Sequence, residues 1–322
     1  MSAPRQAPNS KPALIIAGPT ASGKSGLALA AAEEFGGTII NADSMQVYAE
    51  LRILTARPST ADEARVPHRL YGFLSASEPC SAARWCDLAG AEMRRVWAAG
   101  RLPVLAGGTG FYIKAMTEGL SKIPAVPKEV RNQVQALRTE LGPEAFHAKL
   151  AEVDDAAARR LPAADRQRVL RAMEVYRATG RSLTDWHAGA PLPTVPEARF
   201  LTIFLDPPRD TLNAASDARF DAMLVAGALK EAAALQALGL DAALPAMKSL
   251  GVRELLAHLH GDRTLAEATA AAKQATRRFA KRQQTWFRNQ IEPNIRVSAQ
   301  YSERFCNEIF SNIRNFLLTA HN

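Results

Sequence analysis

Short apolar runs and longer amphipathic runs alternate along the first 110 residues of the chain. Residues 12–18, 38–43 and 102–110 are each apolar before they end in glycine or aspartate. Residues 24–37 and 81–100 have the spacing of helices, and both runs close on glycine. Strands that alternate with helices in this order predict an α/β fold built on a parallel sheet.

This alternation stops near residue 120 and resumes near residue 196. The intervening stretch has helical spacing throughout, with proline or glycine at its joints and no run typical of a strand. Residues 199–206 (RFLTIFLD) again indicate a strand, helical spacing follows to about residue 290, and residues 294–299 indicate a weak late strand. We therefore expect a disordered N-terminal lead over 1–12, an α/β core from 13–120 and 196–322, and an all-helical insertion over 121–195.

Composition agrees with an ordinary soluble protein. Of 322 residues, 47% are hydrophobic and 22% are charged, and no apolar run approaches the length of a membrane span. The N-terminus lacks the apolar segment of a secretory signal, so we expect a cytoplasmic protein without a membrane partner. Cys80, Cys86 and Cys306 have neither disulfide-framework nor metal-site spacing. The net charge of +8 is only a weak indication of a nucleic-acid partner.

The segment GPTASGKS, residues 18–25, matches the P-loop pattern G-x-x-x-x-G-K-[ST] at every fixed position. It lies between a predicted strand and a predicted helix, where backbone N–H groups and the helix N-terminus attract phosphate. In such a loop Lys24 neutralises phosphate oxygens and the Ser25 hydroxyl is placed to ligate Mg²⁺. The motif predicts a bound di- or triphosphate and leaves the rest of the ligand open.

Asp43 begins the polar cluster DSMQVY directly after a predicted strand, at the edge where α/β sheets bind ligands. It fits a functional carboxylate, as metal ligand or general base, and it also fits the N-cap of a following helix. Asp43 and Asp206 both loosely match the aspartate that kinases and nucleoside triphosphatases carry at a strand end. A P-loop kinase therefore remains an alternative at this point.

The stretch from Ala268 to Ile291 contains no aspartate or glutamate. Its cations are interleaved with aromatic residues, and exposed helices normally mix charges of both signs. The pattern favours an RNA phosphate track with stacking positions over a merely solvated face. The cations are Lys273, Arg277, Arg278, Lys281, Arg282 and Arg288, and the aromatics are Phe279, Trp286 and Phe287. A second basic run, DRQRVLRAMEVYRATG, covers residues 165–180, where Leu170, Met173 and Val175 are expected in the core.

Six motifs in order, GPTASGKS, ADSMQVY, TARP, VPHRL, GGTGFYIKA and AKRQQTWFR, resemble the tRNA dimethylallyltransferases, also called tRNA isopentenyltransferases. The resemblance implies a P-loop nucleoside-triphosphate-hydrolase-like core with a tRNA-binding helical insertion. It implies transfer of a dimethylallyl group from dimethylallyl diphosphate to N6 of the adenosine beside the anticodon, at position 37, in tRNAs that read codons beginning with U. Diphosphate is released, Mg²⁺ is the cofactor, and the anticodon stem-loop is the partner of a protein expected to be monomeric.

The resemblance also assigns roles to residues. It implies Asp43 as the general base, with Thr20, Lys24 and Arg219 as further catalytic residues. Diphosphate binding falls to the loop Gly18, Pro19, Thr20, Ala21, Ser22, Gly23, Lys24 and Ser25, with Ser25 as the metal ligand. tRNA binding falls to Asp43, Ser44, Met45, Gln46, Thr109, Gln167, Arg168, Val169, Leu170, Arg171, Lys281, Arg282, Gln283, Trp286 and Arg288.

Three positions depart from the family pattern. Arg57 stands where relatives often have lysine, Ala215 stands where they often have the first of two arginines, and Val252 replaces a tyrosine. Arg219 matches the second of the two arginines, and in this interpretation it supplies positive charge near the donor. Two other functions stay open: a kinase of small molecules or nucleotides, and an RNA-binding P-loop protein without catalysis.

Overall fold

The structure is a computed structural model and describes residues 10–302 and 305–319. The described residues form two compact units, one up to Thr117 and from Thr194 onwards, the other from Glu118–Pro193. Of the predicted N-terminal lead, residues 1–9 lie outside the described residues, whereas Lys11 and Pro12 already belong to the first strand. No helix among the described residues is long and apolar enough to cross a bilayer.

Six described strands form one sheet in which every pairing is parallel, which confirms the predicted α/β fold. The order is β3-β2-β4-β1-β5-β6. The strands are β1 (Lys11–Ala17), β2 (Gly37–Asn41), β3 (His68–Arg69), β4 (Leu102–Gly107), β5 (Ala198–Leu205) and β6 (Ile295–Val297). Because all strands run the same way, the segments after β1, β2, β4 and β5 meet at one edge of the sheet.

The helices follow the amphipathic spacing of the sequence. In the first unit they are α1 (Lys24–Glu34), α2 (Thr60–Arg65), α3 (Ala82–Ala98), α4 (Gly110–Glu118), α9 (Arg209–Val225), α10 (Ala228–Ala237), α11 (Val252–Leu259), α12 (Leu265–Gln290) and α13 (Cys306–Leu318). In the second unit they are α5 (Lys128–Val153), interrupted at Gly142 where φ is +78°, then α6 (Asp155–Arg160), α7 (Arg166–Thr179) and α8 (Leu183–Ala188).

A buried tryptophan fixes helix α3 against the ligand edge of the sheet. Trp85 is fully buried, and its indole N–H donates to the carbonyl of Asn41, the last residue of β2, at 2.8 Å. Its ring stacks on Tyr112 of α4, with the centroids 4.6 Å apart. One aromatic pair therefore sets the positions of the β2 end and of α4, two elements that border the P-loop.

The second unit has a hydrophobic core of its own. Phe146 and Leu150 of α5 pack with Val169 and Val175 of α7, and all four side chains are fully buried. Asp154 caps α6 by accepting the Ala157 N–H at 3.0 Å, and it also accepts the N–H of Thr184 at the same distance. These contacts lie within this unit and join three of its helices.

A single carboxylate holds the loop that follows Tyr48 in place. Both oxygens of Glu231 on α10 accept backbone N–H groups, from Arg52, Ile53 and Leu54, each at 2.8 Å. Three converging N–H groups without an acceptor would be costly, because a donor that loses its partner away from water pays its full desolvation penalty. Glu231 thus fixes the start of the segment that carries Arg57.

We expect Glu231→Ala to lower the free energy of unfolding by about 2–4 kcal/mol, because it leaves those three N–H groups without an acceptor. Chemical denaturation of the two proteins measures the difference. Lys230→Ala is the matched control, since Lys230 is the exposed neighbour on the same helix. An equal, small effect of both changes would show that the carboxylate does not anchor the loop.

Candidate active site

The P-loop connects β1 to α1 in a turn that only small residues permit. Ala21 and Gly23 have φ values of +64° and +89°, in the left-handed region. A Cβ on Gly18 would approach the Ser22 hydroxyl oxygen to 2.5 Å. That oxygen is buried, and it has no hydrogen-bond partner among the described residues. A buried polar atom without a partner inside an anion-binding loop fits a site whose polar ligand completes it.

Two partly buried cations face this loop. Loss of hydration lowers the pKa of Lys24 from 10.5 to about 8, although the negative charge of Asp43 opposes the shift, and Arg219 lowers it further. The Arg219 guanidinium donates to the hydroxyl of Thr20, and its pKa is also lowered by burial and raised by Asp43. The neighbourhood therefore holds two cations for one carboxylate, an excess of positive charge suited to an anion.

Asp43 is held with one carboxylate oxygen engaged. Its backbone N–H donates to the side-chain oxygen of Asn41 at 2.8 Å, and its Oδ1 accepts the N–H of Met45 at 3.0 Å. Oδ2 accepts no hydrogen bond from the described residues. No helix begins in residues 43–50, so the N-cap alternative for Asp43 is wrong. A fixed carboxylate with one available oxygen can act as a proton acceptor.

Thr109, at the start of α4, supports the segment next to Asp43. Its hydroxyl accepts the Ser44 N–H at 2.9 Å and donates to the Ser44 hydroxyl at 3.1 Å. Its own N–H donates to the carbonyl of Ala42 at 3.2 Å. Gln46 uses its amide nitrogen to hold the carbonyls of Thr55 and Ala56, each at 2.9 Å. These side chains shape the site through contacts within the protein.

Asp206, the other candidate for the strand-end aspartate of a kinase, is engaged inside the protein. Its carboxylate is 6% exposed and accepts from Gln284 at 2.8 Å and from Arg288 through two nitrogens. Arg296 lies 3.6 Å from its second oxygen. These partners neutralise the carboxylate, so the structure does not favour Asp206 as a metal ligand. Arg288, predicted to bind tRNA, is also committed to this ion pair.

The basic helix α12 meets acids from another part of the chain. Lys273 pairs with Asp221 and Arg277 with Asp217, both on α9, with the shorter contacts at 2.6 Å. The stretch from Ala268 to Ile291 is free of acids in sequence but not in space. Three further cations of α12 are exposed and line a groove with Trp286. The groove is lined by Arg278, Lys281, Arg282, Thr285, Trp286, Asn289 and Gln290.

The predicted tRNA-binding residues of α7 divide into exposed and buried positions. Gln167 and Arg168 are exposed, and Arg171 and Leu170 are partly buried. Val169 is a correction, because its side chain is fully buried in the core of the second unit and cannot contact RNA. Arg168 also pairs with Asp165 at 3.3 Å. Fewer residues of this basic run are therefore exposed than its sequence pattern indicates.

The three departures from the family pattern have structural explanations of different kinds. The Arg57 guanidinium lies against Gly72 and donates to the carbonyls of Tyr48 and Ala49, each at 3.3 Å, so its charge serves the loop. Val252 is fully buried at the start of α11 and packs in the core. Ala215 is partly buried on α9, and Arg219 lies one turn later on the same helix.

Two hydrogen bonds to the P-loop come from a segment that sequence patterns did not indicate. After β6, the Gln300 amide donates to the carbonyl of Ala21 at 3.0 Å, and the Tyr301 N–H donates to the carbonyl of Ser22 at 3.2 Å. A Cβ on Gly23 would approach the Tyr301 Cβ to 2.8 Å. The partners are almost 280 residues apart in the chain, so no local signal could have identified them.

Comparison with known proteins places this site in a family. The model of the IPP transferase family matches residues 46–290, and that of the isopentenyl transferases matches residues 12–74. The chain belongs to the IPP transferase family. A tRNA dimethylallyltransferase of Rhodospirillum centenum is 59% identical over 305 residues, covering 93% of this chain and 97% of that relative. One from Parvibaculum lavamentivorans is 55% identical over 307 residues, covering 95% and 97%.

Solved structures agree with this assignment. The full-length tRNA isopentenylpyrophosphate transferase of Bacillus halodurans is 31% identical, with a TM-score of 0.67 and 97% of each chain covered. A eukaryotic dimethylallyltransferase acting on tRNA has a TM-score of 0.82 at 24% identity, with 97% of this chain and 81% of that one covered, which shows a shared fold. The chain therefore shares its architecture with the Bacillus halodurans protein along nearly its whole length.

The lowered pKa of Lys24 predicts how anion binding depends on pH. As the pH rises through about 8, the free protein loses the Lys24 charge, so affinity for inorganic diphosphate falls. The loss of one charge can lower this affinity by at most about tenfold for each pH unit. Lys24→Arg keeps its charge throughout this range, so the ratio of the two affinities isolates the lysine and cancels the titration of diphosphate itself. Calorimetric titrations between about pH 6.5 and pH 9.5 give the ratio of the two affinities. A ratio that does not change with pH would contradict the lowered pKa of Lys24.

Proposed function

We propose that the chain transfers a dimethylallyl group from dimethylallyl diphosphate to N6 of the adenosine at position 37 of tRNAs that read codons beginning with U. The observation that carries the proposal is the convergence of Lys24 and Arg219 beside a P-loop, opposite a carboxylate with one available oxygen. A leaving diphosphate needs positive charge, and an amine that forms a bond to carbon needs a proton acceptor.

The reaction balances with the groups present. The bond between C1 of the dimethylallyl group and the bridging oxygen breaks, and its electron pair leaves with diphosphate. The N6 lone pair forms the new bond to C1, and the N6 proton passes to the carboxylate of Asp43. Lys24, Arg219 and the loop N–H groups take up the charge that develops on the leaving group. The Thr20 hydroxyl, held by Arg219, would lie beside the bridging oxygen.

The proposed cofactor is Mg²⁺, which would neutralise charge on the departing diphosphate. The exposed Ser25 hydroxyl, in the first turn of α1, fits the ligand that a P-loop contributes. The described residues contain no cluster of three or more histidine, cysteine or acidic side chains suited to a metal. This agrees with an ion that takes most of its ligands from phosphate and water.

tRNA recognition is supported by the exposed cations of α12 and by the first turns of α7. Lys281 and Arg282 are exposed beside the half-buried ring of Trp286, an arrangement that can bind phosphates and stack on a base. The target base must leave its stack to be modified, as in other enzymes that act on a base. Gln167 and Arg168 add polar and basic groups in the second unit. A cytoplasmic monomer remains part of the proposal.

A P-loop kinase is the alternative function. It would need a strand-end aspartate for its metal, and of the two candidates Asp206 is neutralised by Arg288 and Arg296, which leaves Asp43. The family to which the chain belongs disfavours a kinase. A parallel incubation of protein and tRNA with ATP in place of dimethylallyl diphosphate compares the two reactions directly.

We expect Asp43→Asn to lower the rate of transfer by about 10²- to 10⁴-fold, because the amide keeps the size of the side chain but cannot accept the proton. Affinity for the donor should not fall, because the change removes a negative charge beside Lys24 and Arg219. The measurement is single-turnover incorporation of labelled dimethylallyl diphosphate into unmodified tRNA in the presence of Mg²⁺. Glu50→Gln is the control, a carboxylate on the same segment that holds the N–H of Ala76.

Two outcomes of this assay would contradict the proposal. If wild-type protein gives no label in tRNA but moves phosphate from ATP, the P-loop has a kinase function. If Asp43→Asn transfers the prenyl group at the wild-type rate, Asp43 is not the proton acceptor.

A further inference from the structure

Gln283 lies on the buried side of the basic helix α12, where it contacts two loops of the active site. Its side chain is 8% exposed. The amide oxygen accepts the backbone N–H of Thr20 in the P-loop at 2.8 Å, and the amide nitrogen donates to the carbonyl of Gly108 at 2.7 Å. Both ends of the side chain are therefore occupied by protein, which disagrees with the predicted direct contact between Gln283 and tRNA.

We propose that Gln283 is a positioning residue that fixes the distance between the P-loop, where the leaving group binds, and Asp43, the proton acceptor. The inference rests on the proposed function. It assigns to α12 a second task besides RNA binding, because the same helix carries Lys281 and Arg282 on its exposed side. A glutamine suits this task, since one amide supplies both an acceptor and a donor.

Gly108 is the point at which these groups converge. A Cβ on Gly108 would lie 2.4 Å from the Gln283 amide nitrogen, 3.3 Å from the Gly18 carbonyl and 3.4 Å from Oδ2 of Asp43. The beginning of the P-loop, the available carboxylate oxygen and the glutamine amide thus surround one backbone position. Any larger residue there would push at least one of them away.

The contacts continue from Gly108 to Asp43, the proposed proton acceptor. The next residue, Thr109, holds Ser44 through two hydrogen bonds, and Ser44 follows Asp43 in the chain. A Cβ on Gly110, two residues after Gly108, would lie 2.1 Å from the Trp286 ring and overlap it. Helix α12 therefore contacts the β4–α4 turn at two successive places, through Gln283 and Trp286. A displacement of Gln283 would reach the P-loop on one side and the Asp43 segment on the other.

The test compares Gln283→Met with wild-type protein in single-turnover transfer from dimethylallyl diphosphate to unmodified tRNA. Methionine is close to glutamine in volume but can neither accept from Thr20 nor donate to Gly108. We expect the rate at saturation to fall about ten- to a hundredfold, because small misplacements of reacting groups are costly. The dissociation constant for tRNA should stay within about twofold, since the exposed cations are unchanged.

Amide hydrogen exchange gives a second reading that a general loss of stability would not produce. In Gln283→Met the Thr20 amide should exchange faster, while the amides of β1 and α1 keep their wild-type rates. Gln274→Met is the matched control, because Gln274 is exposed on the same helix. Lys281→Ala should weaken tRNA binding and leave the exchange of the Thr20 amide unchanged, which separates loss of an exposed cation from loss of the Gln283 contacts. If Gln283→Met does not fold, Gln283→Asn replaces it, because the shorter amide can reach only one of the two partners.

The outcomes separate this inference from the function on which it rests. No transfer by wild-type protein overturns the proposed function. Transfer by wild-type protein with an unchanged saturated rate and unchanged Thr20 exchange in the Gln283 variants overturns the positioning role alone. A rise in the tRNA dissociation constant at an unchanged saturated rate would return Gln283 to RNA binding.

Discussion

An excess of positive charge held away from water is the constraint on which the site depends. Lys24 and Arg219 share the charge of Asp43, and each has its pKa lowered by the loss of hydration. Such an arrangement opposes folding, because cations lose hydration without full compensation. Binding of a multivalent anion stabilises this arrangement of charges. The same positive charge that destabilises the site without ligand makes it selective for a leaving group such as diphosphate.

The sheet and one long helix hold this site together. Parallel strands bring the P-loop, the Asp43 segment and the β4–α4 turn to one edge. Helix α12 then crosses that edge with two different faces. Its buried face carries Gln283 and Gln284, which hold Thr20, Gly108 and Asp206, while its exposed face carries the cations proposed to meet RNA. Substrate recognition and catalytic geometry are thereby placed on one rigid element.

The sequence was sufficient for features that depend on local patterns. The P-loop and the strands of the core follow from spacing, glycine positions and apolar runs, and β3 was missed because two residues give no periodic signal. It was insufficient where partners are distant. The acid-free stretch of α12 could not reveal that Asp217 and Asp221 on α9 pair with its cations. Likewise, the resemblance that assigned Val169 to tRNA binding could not reveal that its side chain packs inside the second unit.

The role of excess positive charge is tested most directly by the melting temperatures of Arg219→Met and wild-type protein with and without inorganic diphosphate. Removing one of two cations relieves repulsion in the site, so we expect the variant without diphosphate to melt no lower than wild type. We also expect the increase caused by diphosphate, which follows the ratio of ligand concentration to dissociation constant, to be much smaller in the variant. A variant that melts lower but gains as much from diphosphate as wild type would make Arg219 a structural cation and would show that its charge does not serve anion binding.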